Sequence, residues 1–111
     1  MHEWIHEFPA AITVCDKDGV IIEMNEKACA TFDSDGGKDL IGHSLKDCHK
    51  PSSWETILRI MASGIPNTYT IEKNGIRKLI HQTPWYKDGQ VAGLVEMSIV
   101  LPENMPHHVR S

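Results

Sequence analysis

Basic clusters, aromatic residues, cysteine pairs and long apolar runs are all scarce in this sequence, and each shortage removes a class of function. The 11 Lys and Arg are scattered and outnumbered by 15 Asp and Glu, for a formal net charge of -4. A phosphate-binding face needs clustered cations that release condensed counterions, so nucleic acid is not an expected partner. No apolar run approaches the roughly 20 residues that cross a bilayer. The opening Met1-His2-Glu3-Trp4-Ile5-His6-Glu7-Phe8-Pro9 is acidic and too short for a secretory leader. The expectation is a cytoplasmic chain with no membrane partner. Cys15, Cys29 and Cys48 are odd in number and form no CxxC pair, which predicts reduced thiols and no structural zinc site. His2 with His6, and His107 with His108, lack a carboxylate or thiol at fixed spacing, so they read as solvated and no metal is assigned. Gly-x-Ser-x-Gly, P-loop and His-Glu-x-x-His signatures are missing, as is a carboxylate pair in an apolar setting. No catalytic residue is assigned, and no enzyme is expected.

What is there suits one packed domain. At 111 residues with 41% hydrophobic content the chain has room for a single core. Trp4 to Phe8 can form one amphipathic turn, ended by Pro9. Ala11 to Cys15 and Val20 to Met24 are β-branched-rich strands around an Asp16-Lys17-Asp18-Gly19 turn. Asn25 suits a helix N-cap, and Ala28, Cys29 and Phe32 share one face of the helix that follows. Asp33 to Gly37 breaks that helix, and Leu40, Ile41 and Leu45 anchor short turns and loop. Pro51 and Ser52 open a longer helix with Trp54, Ile57, Leu58 and Met61 at helical spacing, ended by Gly64. From Thr68 the period becomes that of strands, with turn signals at Asn74-Gly75 and Asp88-Gly89. Two strands, a helical middle and three strands predict an α+β arrangement.

The stretch Ile12-Thr13-Val14-Cys15-Asp16-Lys17-Asp18-Gly19-Val20-Ile21-Ile22-Glu23-Met24-Asn25 resembles the first hairpin of the PAS superfamily. Leu40-Ile41-Gly42-His43 is similar to that family's "hIG+" stretch. Thr83-Pro84-Trp85-Tyr86-Lys87-Asp88-Gly89-Gln90-Val91-Ala92-Gly93 resembles the Pro, Asp-Gly and Gly that mark its last two strands. The resemblance runs from about residue 8 to residue 100. It implies a PAS fold, a five-stranded antiparallel sheet with short helices on one face. Residues 1–8 would be an N-terminal cap, 9–101 the domain and 102–111 an extended tail.

The resemblance also implies a pocket between sheet and helices, coupled to dimerisation and a signalling output. The expected ligand is a small apolar molecule, and the expected lining is Ile22, Met24, Cys29, Leu45, Ile57, Met61, Ile80, Gln82 and Val95. Gln82 is the polar handle if the Ile80 face of its strand is the inner one, which a one-residue bulge would invert. Flavin of the light-sensing type is not expected, because Gly42-His43-Ser44-Leu45 stands where its reactive cysteine belongs. The helix from Ser52 has no histidine for haem, which leaves Cys48 and His49 as haem-ligand candidates. The outer face would carry Leu79, His81 and Trp85, covered by Trp4, Ile5 and Phe8 in cis or across a homodimer. No output domain follows residue 101 in this sequence, so the expectation is that a signal passes through a partner protein or that the chain is a fragment. The alternative to a sensor is a ligand-free platform for dimerisation or docking.

Overall fold

The computed structural model describes residues 2–48 and 50–111. Strands β1 (Ala11–Asp16) and β2 (Ile21–Met24) form the first hairpin. Its turn is held by Asp16, whose Oδ1 accepts the N–H groups of Asp18 at 2.9 Å and Val20 at 3.0 Å. Gly19 sits there at φ +84°, and a side chain on it would run into the Trp54 ring, so glycine meets both a conformational and a steric demand. The β1–β2 register shifts between Val14 and Cys15: Thr13 pairs with Met24 and Cys15 with Ile21. Two residues, Ile22 and Glu23, therefore occupy the space that one would fill in a regular ladder.

Asn25 follows β2 and caps α2 (Glu26–Thr31), its side chain accepting the Ala28 N–H at 3.0 Å. A short helix before the sheet, α1 (Glu3–His6), is tied to the same residue. Two 3₁₀ turns, Asp33–Asp35 and Gly37–Leu40, lead to α3 (Leu45–Cys48) and α4 (Pro51–Ser63). Pro51 starts α4 and Gly64 ends it at φ +75°, as a proline at N1 and a left-handed C-terminal residue should. Between the 3₁₀ turns and α3 the chain runs along β2. Gly42 N–H donates to the Ile21 carbonyl at 2.8 Å, Ile21 N–H to that of His43 at 2.9 Å, and Leu45 N–H to that of Gly19 at 2.8 Å. The outer edge of β2 is thereby paired.

Strands β3 (Asn67–Lys73), β4 (Ile76–Lys87) and β5 (Gln90–Val100) complete the sheet. The turns Asn74-Gly75 and Asp88-Gly89 have positive φ at both residues, the type I′ geometry that matches strand twist. The strand order is β2-β1-β5-β4-β3, with every pair antiparallel. Helices lie on one face, where Cys15, Ile21, Met24, Ala28, Leu45, Ile57, Ile60 and Leu94 form the core. The α+β architecture predicted from the motifs is the one observed. No described helix is long and apolar enough to cross a membrane. Residues 102–111 form no helix or strand and are exposed.

Candidate functional site

Directly paired residues on neighbouring strands share a face, and the register assigns the inner face residue by residue. Thr13, Glu96, Gln82 and Asn67 are successive partners across β1, β5, β4 and β3. They form one polar row on the side that faces the helices. On one side of it lie Cys15, Leu94 and Pro84, and on the other Ala11, Ser98, Ile80 and Tyr69. Cys15 is buried, and burial pushes its thiol up to about 11. It stays protonated and is no nucleophile at neutral pH.

Between this face and the helices lies a cavity of about 530 Å³. Ile21, Met24, Phe32, Leu40 and Leu45 supply apolar walls, Thr13, Ser53 and Glu96 polar points, and Asp35 and Lys50 a charged pair of lining residues. A smaller cavity of about 180 Å³ has Glu96 and Ser53 in its lining too, with Thr56, Ile57, Asn67, Tyr69 and Gln82. The two share Glu96 of the polar row and Ser53 in their linings. Gln82 is only 8% exposed, and its Oε1 accepts Asn67 Nδ2–H at 3.0 Å. Desolvation, then the Glu96 carboxylate, raise the Tyr69 phenol above its ordinary value, so its hydroxyl stays a donor.

Of the residues expected to line a pocket, Met24 and Leu45 line the larger cavity and Ile57 and Gln82 the smaller. Ile80 is buried on the inner face, and Met61 packs against the core. Cys29 lines a separate hollow beside α2, together with His6 and Asp33. Two expectations are corrected. Ile22 is 41% exposed while Ile21 is 3% exposed, because the bulge in β2 puts Ile21 and Met24 on the inner face in place of Ile22 and Met24. Val95 pairs with Val14 and Thr83 on the outer face, and its neighbour Glu96 faces inward. In β4 the register shift falls between Trp85 and Tyr86, beyond Ile80 and Gln82, so it does not invert their face.

Thr13, Phe32, Leu40, Asn67, Tyr69 and Glu96 were not anticipated. Glu96 was beyond reach of the sequence, since regular pairing of β5 against β4 across Asp88-Gly89 sets Val95 opposite Gln82, and the shift between Trp85 and Tyr86 brings Glu96 there in its place. Phe32 and Leu40 belong to irregular turns, where no period marks a face. For the haem candidates, His49 lies outside the described residues, and for Cys48 the description reaches the backbone and not the thiol. None of the described residues lining the larger cavity is a histidine or cysteine, so haem gains no ligand from them. Among the described residues no group of three His, Cys, Asp or Glu is placed to hold a metal ion.

On the opposite face, Leu79 pairs with Ile99, His81 with Met97 and Trp85 with Gly93. His81 Nδ1 and the Thr68 hydroxyl lie 2.7 Å apart. The Trp85 indole N–H donates to the Cys15 carbonyl at 2.9 Å, and a side chain at Gly93 would strike both partners. Trp85 is thus bound within its own sheet. Trp4 and Phe8 stack edge to face, with ring centroids 5.9 Å apart, and Trp4 is 65% exposed.

The sequence matches the family described as PAS fold over residues 5–103. No curated protein matches it in sequence. The structure is similar to the PAS domain of the histidine kinase ThkA, at 22% identity and a TM-score of 0.65 over 81% of this chain and 97% of that one. It is similar to the PAS domain of a protein from Colwellia psychrerythraea, at 20% identity and a TM-score of 0.65 over 92% and 94% of the two chains. It is also similar to Vibrio cholerae VqmA in a complex with ligand and DNA, at 17% identity and a TM-score of 0.66, covering 88% of this chain. This chain spans about half the length of VqmA, 49%. The ordered motifs, the sheet order and the family match agree: the chain belongs to the PAS fold family.

Proposed function

We propose that this chain is a sensory module that binds a small, largely apolar molecule between sheet and helices and passes the signal to a partner protein. The observation that carries this reading is the cavity of about 530 Å³ with Ile21, Met24, Phe32, Leu40 and Leu45 in its walls. Its size falls within the usual few hundred to about 1,000 Å³ of small-molecule sites, and its lining has their mix of apolar wall and few polar points. A signalling role accords with similar domains in a histidine kinase and in a DNA-bound receptor. We place it in the cytoplasm and assign it no catalysis.

The test is native mass spectrometry of freshly purified protein, an absorption scan for haem or flavin, and thermal shift across a metabolite panel. A ligand at about 100 times its Kd should raise the melting temperature by about 10 °C in a domain this size. An empty, colourless chain that no metabolite stabilises would sink the reading.

A second reading, a platform for homodimerisation, draws on the half-buried outer face with Leu79 and His81 and on exposed Trp4. The two readings are compatible, since the cavity and this surface lie on opposite sides of the sheet.

A further inference from the structure

Gln82 is more than nine-tenths buried, yet half of its amide is unused. Its Oε1 accepts Asn67 Nδ2–H at 3.0 Å, which fixes the amide so that Nε2 is the end left over. Nε2–H has no hydrogen-bond partner among the described residues. Buried donors in folded proteins are almost always paired, so one left over at a cavity wall marks a place for an acceptor. Glu96 is the cross-strand neighbour of Gln82, and both line the smaller cavity. An anionic acceptor would have to leave water for a site whose neighbouring cavity has mostly apolar walls, a far larger desolvation cost than a neutral carbonyl meets. The larger cavity beyond Glu96 and Ser53 offers apolar walls.

We propose that the ligand is an uncharged molecule with an apolar body and a carbonyl acceptor of the amide, ketone or ester class. Its carbonyl takes the Gln82 Nε2–H, and its body lies in the larger cavity. This deepens the small-molecule reading above and rests on it.

Three probes of nearly one shape separate the possibilities: phenylacetamide, phenylacetate and propylbenzene. Each is titrated into the full ¹⁵N-labelled chain and followed by NMR, with the Gln82 side-chain NH₂ signals assigned by their loss in Gln82→Met. Phenylacetamide should move those NH₂ signals and bind about tenfold tighter than either other probe, the order of magnitude expected for one buried hydrogen bond. Gln82→Met should lower phenylacetamide to the level of propylbenzene while propylbenzene binding survives, which also shows that the variant folds. If phenylacetate or propylbenzene binds as well as phenylacetamide, or the Gln82 NH₂ signals stay still, the carbonyl assignment is overturned and the cavity reading stands. If no probe binds, both fall.

Discussion

At the scale of the residue, Asn25 organises more of the molecule than any apolar side chain near it. It is fully buried and uses both ends of its amide. Oδ1 accepts from Ile12 N–H and Ala28 N–H, each at 3.0 Å, while Nδ2 donates to the carbonyls of Ala10 at 2.8 Å, Ile5 at 3.2 Å and Phe8 at 3.5 Å. One side chain thus caps α2, joins β1 and holds the N-terminal segment. Asn25→Ala removes the cap and leaves buried backbone groups unpaired, so it should cost about 2–4 kcal/mol, combining a cap with unsatisfied polar groups. Urea denaturation reads the loss, and hydrogen exchange should show faster opening from Ile5 to Ala10. Asn25→Asp keeps the two accepted bonds and loses the three donated ones, so it should restore the cap without restoring protection of that segment.

At the scale of the element, the bulge in β2 decides which isoleucine belongs to the core. Ile21→Ala should destabilise by about 2–5 kcal/mol, as a buried truncation does, and Ile22→Ala by less than about 1 kcal/mol, as an exposed one does. Equal losses in thermal or urea unfolding would refute the register. The same element shows where the sequence was readable. Turn chemistry announces itself in residue types, so Asp16-Lys17-Asp18-Gly19, Asn74-Gly75 and Asp88-Gly89 placed the hairpins and with them the sheet. Periodicity placed α4 and set Ile80 and Gln82 on one face of β4, and the resemblance to the PAS family made that face the inner one. A bulge has no residue signature, so alternation chose Ile22 over Ile21. The same holds at Val95, which regular pairing across Asp88-Gly89 sets opposite Gln82 and which the shift between Trp85 and Tyr86 exchanges for Glu96. Much of the cavity wall comes from segments without a period, Phe32 and Leu40 above all, and only their packing reveals them.

At the scale of the whole molecule, the sheet has a different partner on each side. Helices cover one side, while Leu79, Met97, Ile99 and Val95 on the other remain half-buried or exposed. If that face seats a second copy, light scattering should report a dimer for the natural chain and a monomer for Leu79→Glu. Circular dichroism should be unchanged, since the new charge meets solvent once the partner is gone. A natural chain that stays monomeric at millimolar concentration removes the dimer platform and leaves the cavity reading intact.

The central pairing of β1 with β5 has a mechanical consequence. Ala11, where β1 begins, stands opposite Ser98, near the end of β5, and the ladder runs from there to Asp16 opposite Gly93. Both chain ends therefore leave from the same end of the middle of the sheet. Traction between them, once Asn25 releases the segment before Ala11, loads the ladder one rung at a time instead of shearing all rungs together. This domain would unzip under a low, steady pull, starting at Ala11 and Ser98, with the cavity side of the sheet opening as the zipper reaches Thr13 and Glu96.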